Sequence, residues 1–125
     1  MCREFGMETG NDVIPRIAGA FAGGIGNTGT VCGAVIGAVM AIGLRQGRAA
    51  TMEEALENLV VAREFRRRFE AETGNINCRE LTGMDLSTDE GISQFMNSDT
   101  PQKVCFPAVG AAYRIVVDLL GEPSR

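Results

Sequence analysis

The residues of this sequence best suited to chemistry are four cysteines, Cys2, Cys32, Cys78 and Cys105, and no histidine accompanies them. A cysteine thiolate is a nucleophile, a soft metal ligand and a redox group. Without histidine there is no His-bound zinc, no haem attached through C-x-x-C-H, and no Cys–His or Ser–His nucleophile pair. Three kinds of chemistry remain: thiol–disulfide exchange, electron transfer, and metal or iron–sulfur binding through sulfur. No two cysteines stand at C-x-x-C spacing, so any site they form is assembled from distant segments.

The elements that must position them follow from the apolar spacing. Residues 29–46 read as a helix in which Gly33, Gly37 and Ala41 recur every four residues, with Ala34 and Ala38 beside them. One side of that helix is therefore a smooth strip of small residues. Val31, Val35, Ile36, Val39, Met40 and Ile42 cover most of the rest. A helix apolar nearly all round is expected to be the buried, central one, with its small residues admitting a close neighbour.

Cys32 falls in the first turn of that helix, where the dipole favours a thiolate. The alternative is a small core residue, a common fate for cysteine. Cys78 opens a short helical turn, Cys78-Arg79-Glu80-Leu81, after Asn75 or Asn77 as cap, and Arg79 is expected to add to thiolate stabilisation. Cys105 opens the last helix, residues 103–120, with Pro107 tolerated in its first turn. Three helix N-termini aimed at one spot would make a partly positive pocket for thiolates, an anionic iron–sulfur cluster or a reactive disulfide.

The other segments complete an all-α expectation. Ile14, Ile17, Ala18 and Phe21 give a short helix over 12–22, with Pro15 in its first turn. Gly23-Gly24-Ile25-Gly26-Asn27-Thr28-Gly29 then reads as a flexible loop. Such a loop can cradle an anion on outward-pointing amides, although the P-loop spacing is absent and no strand precedes it; otherwise it is a tight turn between packed helices. Thr51 with Glu54 makes a capping box for an amphipathic helix over 52–73, with Ala55, Leu59, Ala62, Phe65 and Phe69 on its apolar side. A brief helix starts at Thr88-Asp89-Glu90 and runs through Phe95. The last helix carries Val109, Ala112, Tyr113, Val116, Val117 and Leu120 on its apolar side. Residues 1–125 are thus expected to form a single domain of about five helices around a glycine- and alanine-rich one.

At 125 residues, a net charge of −4 and a pI near 4.8, the chain carries no electrostatic footprint for nucleic acid. Its one basic cluster, Arg63, Arg66, Arg67 and Arg68, is interleaved with Glu64, Glu70 and Glu72 and reads as a solvated helix face. The longest apolar run, Val31 to Leu44, is short of the roughly 18–20 residues needed to cross a bilayer. The first fifteen residues contain Arg3, Glu4, Glu8 and Asp12 and no secretory apolar run. A cytoplasmic protein that does not span a membrane is the expectation, and cysteines there are reactive or metal-binding more often than structural.

The glycine-rich segment from Arg16 to Arg48, with CREL at 78–81 and Cys105 before the last helix, resembles the family named C_GCAxxG_C_C after its four cysteines, whose members are regarded as redox-active. Its CGAxxG motif reads here as Cys32-Gly33-Ala34-Val35-Ile36-Gly37. The resemblance implies Cys32, Cys78 and Cys105 as the redox or metal-binding set, with Gly33, Ala34 and Gly37 packed against whatever they hold. It also implies an electron or disulfide exchange partner, either a protein or a small thiol, with Cys32 as the attacking group and Cys78 or Cys105 resolving it. A related domain is similar to part of the split-Soret cytochromes c, so the same cysteines, with Cys2 as a further candidate ligand, could instead carry an iron–sulfur cluster or zinc. A third class is a helical oligomeric accessory protein with structural cysteines. In the family the first cysteine lies well before the RIA segment, whereas Cys2 stands 14 residues before Arg16. Phe5-Gly6 then reads as the end of an N-terminal helix whose start is missing, and the uncovered apolar face would favour a homo-oligomer.

Overall fold

The computed structural model describes residues 13–121 and is all α-helical apart from one isolated bridge. Its helices are α1 (Val13–Ala18), α2 (Gly33–Gln46), α3 (Met52–Thr73), α4 (Cys78–Thr82), α5 (Asp89–Met96) and α6 (Phe106–Leu120). A 3-10 turn, Gly19–Phe21, continues α1, and a π-helical turn, Pro101–Cys105, leads into α6. The expected N-terminal helix and Cys2 lie outside the described residues. No described helix is long and apolar enough to cross a membrane.

Local chemistry explains the boundaries. The Thr51 hydroxyl accepts the Glu54 amide at 3.1 Å, satisfying one of the orphan donors of α3, and the Glu54 carboxylate reaches back past the cap to accept the Ala50 amide at 3.2 Å. It stops at Gly74 in the left-handed conformation. Thr88 caps α5 through the Gly91 amide at 3.0 Å. The π-turn has a cause in Pro107. Preceded by Pro101–Cys105, that proline sits well inside a continuous helical segment, where its ring crowds the carbonyl four residues back. A wide turn, closed by the Phe106 amide on the Pro101 carbonyl, relieves that contact just before it.

The core is a three-helix packing of α2, α3 and α6, each against the other two. Val35, Ala38 and Ile42 of α2 meet Phe65 and Phe69 of α3 and Ala108, Ala111, Ala112, Ile115 and Val116 of α6. The two phenylalanine rings stack at 5.8 Å between centroids.

Sequence expectations change here on three helices. In α2 only one side is buried. Val39 and Leu44 are exposed, and a Cβ added at Gly37 would meet no described atom within 4 Å. Of the small residues expected to admit a neighbour, Ala38 and Ala41 of α2 are buried while Gly37 is not, and α6 adds Ala108, Ala111 and Ala112 to the close packing around Phe65 and Phe69. The buried side of α6 is rotated accordingly, and Val109 and Tyr113, expected inside, are exposed. On α3, Phe65 and Phe69 are buried as expected, but Leu59 is exposed together with Met52, Leu56 and Val60. The 22-residue α3 is longer than the 14-residue α2 it packs on, and its N-terminal half projects past the core.

The basic cluster is a solvated face, as its spacing suggests. Glu64 takes Arg67 at 2.6 Å and Arg68 at 2.9 Å, Arg66 reaches Glu70 at 3.7 Å, and Arg114 reaches Glu72 at 2.7 Å. Hydrogen bonds from Arg67 and then Arg68 hold the Glu64 carboxyl down to about 2.

Candidate thiol site

The segment before α2 is the least ordinary backbone among the described residues. Gly23, Gly24, Ile25, Gly26 and Asn27 all have φ between 59° and 74°, one turn of left-handed coil, and Gly29 follows at 77°. Alternating glycines make this affordable. Ile25, β-branched, bears a cost on the order of 1–2 kcal/mol in that conformation. The turn is fully hydrogen-bonded: the six amides from Ile25 to Thr30 all donate to carbonyls between Ala20 and Ile25. The hydroxyls of Thr28 and Thr30 both donate to the Gly24 carbonyl, at 2.8 and 2.6 Å. The expected flexible loop is therefore a closed knot, and those six amides are not available to an anion.

This knot delivers the chain to a bridge. Val31 pairs antiparallel with Asn77, and the bonds on either side are Cys32 N–H to the Ile76 carbonyl and Cys78 N–H to the Thr30 carbonyl, each 2.7 Å. The Arg79 amide continues the contact to the Gly29 carbonyl at 3.1 Å. Two cysteines 46 positions apart are thereby fixed side by side, each at the mouth of a helix: Cys32 is the N-cap of α2 and Cys78 the first residue of α4. Side chains alternate across an extended pair, so residues 30, 32, 76 and 78 share one face of the bridge.

Cys105 arrives from the third side, at the junction of the π-turn with α6. All three sulfurs are free thiols, half-buried, and they line one cavity of about 370 Å³. Gly33 and Ala34 of α2 join its wall, whereas Gly37 lies one turn further along and does not. The convergence expected of the three cysteines is therefore present in the geometry.

The electrostatics differ from expectation. Burial against hydrocarbon pushes the Cys78 thiol up from the ordinary value of 9.0, and the neighbouring Cys32 and Cys105 push it further. Cys105 is pushed up by burial and by Cys32. Arg79, expected to favour the Cys78 thiolate, turns away and pairs with Asp85 at 2.9 Å. The turn that Cys78 opens has five residues, too short a dipole to offset desolvation.

Sequence reading missed the far wall. Leu86, with Ile92, Phe95 and Met96 of α5, closes the cavity opposite the cysteines, and Val109 of α6 joins them. The signal was present in the i, i+3, i+4 spacing of 92, 95 and 96, on a helix that the sequence marks only as brief and polar. Gly91 anchors this wall: a Cβ there would overlap the Asp85 carbonyl, with Thr88 Oγ1 also at 3.0 Å, so α5 rests directly on backbone.

The family model described as "Putative redox-active protein (C_GCAxxG_C_C)" matches residues 1–119. This chain belongs to the C_GCAxxG_C_C family. The family name spells its central motif Gly-Cys-Ala, so the CGAxxG order ascribed above to the family is this member's own, with cysteine and glycine exchanged at Cys32-Gly33. Cys32 is consequently the cap and Gly33 the first helical residue. No curated protein and no solved structure matches this family member.

Proposed function

We propose that this member of the C_GCAxxG_C_C family is a cysteine-based redox protein in which two of three clustered thiols interconvert between dithiol and disulfide. The observation that carries the reading is the meeting of Cys32, Cys78 and Cys105, from three separate elements, on one cavity. In the exchange, a thiolate attacks one sulfur of a disulfide X–S–S–X, releasing one X–S⁻ and forming a mixed disulfide. A second cysteine attacks the protein sulfur of that bond and releases the other X–S⁻. The two thiol protons end on two X–SH, and the two electrons that reduce X–S–S–X come from the two protein sulfurs. The co-reactant is a small disulfide or a disulfide-bearing redox partner protein.

The raised thiols support the direction of this chemistry. Charge on any one of the three sulfurs opposes charge on the next, and an uncharged disulfide removes that repulsion in a wall that solvates anions poorly. Cys78 and Cys105 suit the resolving role. Cys32, at the N-terminus of the 14-residue α2, is the attacking group.

A zinc or iron–sulfur centre on the same cysteines is the alternative. Among the described residues no group of three or more Cys, His, Asp or Glu side chains is gathered in a way that could hold a metal ion, so no step is routed through one.

The test is oxidation of a Cys2→Ser background with diamide, which takes up two electrons and two protons, followed by non-reducing peptide mapping. One internal disulfide among residues 32, 78 and 105 is expected, abolished by serine at either partner and retained with serine at the third position. Three thiols that stay free and react independently, as they do in the unfolded chain, overturn the reading. Iron or zinc in stoichiometric amount in freshly purified wild-type protein transfers these cysteines to the metal-binding class.

A further inference from the structure

The wall of the thiol cavity selects its co-reactant. Opposite the cysteines it is Leu86, Ile92, Phe95, Met96 and Val109, and among the described lining residues none is charged; the Asn27 side chain supplies the one amide. Its volume of about 370 Å³ falls in the range that holds small organic ligands, which runs from roughly 300 to 1,000 Å³. The apolar surface continues outward at the mouth, where Met96 and Val109 are 70% and 57% exposed. Arg79, next in sequence to Cys78, is held by Asp85, and Lys103, two residues before Cys105, by Asp99.

We propose that the cavity binds an uncharged, apolar, low-molecular-weight disulfide and exchanges it with the cysteine pair, in preference to ionic disulfides such as that of glutathione. This deepens the dithiol–disulfide reading above and rests on it. The stoichiometry is that of the exchange already written, with R–S–S–R apolar and neutral: one protein disulfide and two R–SH are formed. Two physical effects impose the preference. A carboxylate or ammonium brought against Phe95 and Leu86 loses hydration with no partner to replace it. A leaving thiolate is poorly solvated there too, so aryl or heteroaryl thiols, which carry the charge more easily, leave faster than alkyl thiols.

The experiment compares three reagents on the Cys2→Ser protein: neutral 4,4′-dithiodipyridine, dianionic 5,5′-dithiobis(2-nitrobenzoate) and dicationic cystamine. Each rate is divided by the rate on the same chain in denaturant, which removes intrinsic reactivity. The folded protein is expected to favour the neutral reagent over both ionic ones by about tenfold or more after that correction, the penalty for bringing charge into an apolar site. Met96→Lys, an exposed rim change that leaves the core untouched, is expected to restore much of the rate with the dianion and slow cystamine further. Equal corrected rates for the three reagents, or a Met96→Lys protein with unchanged ratios, overturn the proposal. The parent reading fails separately: a neutral preference without an internal disulfide after reaction leaves an apolar thiol pocket that is not a dithiol switch. An internal disulfide with no reagent preference leaves the switch and removes the pocket's selectivity.

Discussion

The sulfurs of Cys78 and Cys105 have hydrocarbon on one side and neighbouring cysteine on the other, and both raise the cost of losing a proton. For Cys78 and Cys105 the folded-state values lie above the ordinary 9.0, so the folded chain keeps those protons longer than the unfolded one. The linkage has a definite sign: the stability contribution is intact below about the ordinary value and is lost as pH rises through the raised ones. Cys32 acts on both neighbours, so Cys32→Ser is expected to move the onset of alkylation of Cys78 and Cys105 to lower pH. It should also flatten the alkaline loss of stability. Iodoacetamide labelling against pH, read by mass spectrometry, checks the first, and denaturant midpoints between pH 8 and 11 the second. Unchanged labelling profiles in the variant would mean that the three sulfurs do not sense one another. The residue types alone announced sulfur chemistry. They did not announce raised thiols, because a helix N-terminus and a nearby arginine both argue the other way, and only the fold shows that α4 is too short and Arg79 already engaged.

At the scale of elements, the site depends on short pieces leaning on backbone. Helix α5 supplies most of the apolar wall, yet it has eight residues and touches its support at Gly91, where any side chain meets the Asp85 carbonyl. Gly91→Ala is expected to cost about 1–3 kcal/mol, the usual penalty for forcing atoms into a packed contact. It should also loosen the cavity, seen as faster labelling of Cys78 by bulky maleimides. A variant as stable as the parent and no faster to label would mean that α5 is not seated as described. The capping box at Thr51 and the termination at Gly74 put α3 at residues 52–73 from sequence alone, because both signals are local. The left-handed knot was not legible in the same way. Clustered glycines signal freedom of φ, whereas the choice of one mirror-handed turn comes from the Val31–Asn77 pairing that the turn must reach. The π-turn at Cys105 likewise needs Pro107 to be read as interior, which depends on the helix having already begun at residue 101.

Across the whole molecule, the three-helix core holds the cysteines from behind. Phe65 and Phe69 are fully buried between α2 and α6, the two helices whose beginnings carry Cys32 and Cys105. Truncating either ring to alanine is expected to destabilise by about 3–5 kcal/mol. Calorimetry or denaturant unfolding measures this, and a loss below 1 kcal/mol would contradict the packing. The all-α class and the gathering of three distant thiols were readable from periodicity and from the recurrence of cysteine at helix beginnings. The orientation of α6 was not, since Val109 and Tyr113 look more apolar than the alanines that replace them in the core. A consequence of the chain order concerns biosynthesis. A polypeptide leaving the ribosome N-terminus first presents Cys32 and Cys78 before Cys105 and the alanine face of α6 have emerged. For that interval two sulfurs lack the packing that later half-encloses them, and the nascent chain is the stage at which they are most open to premature oxidation.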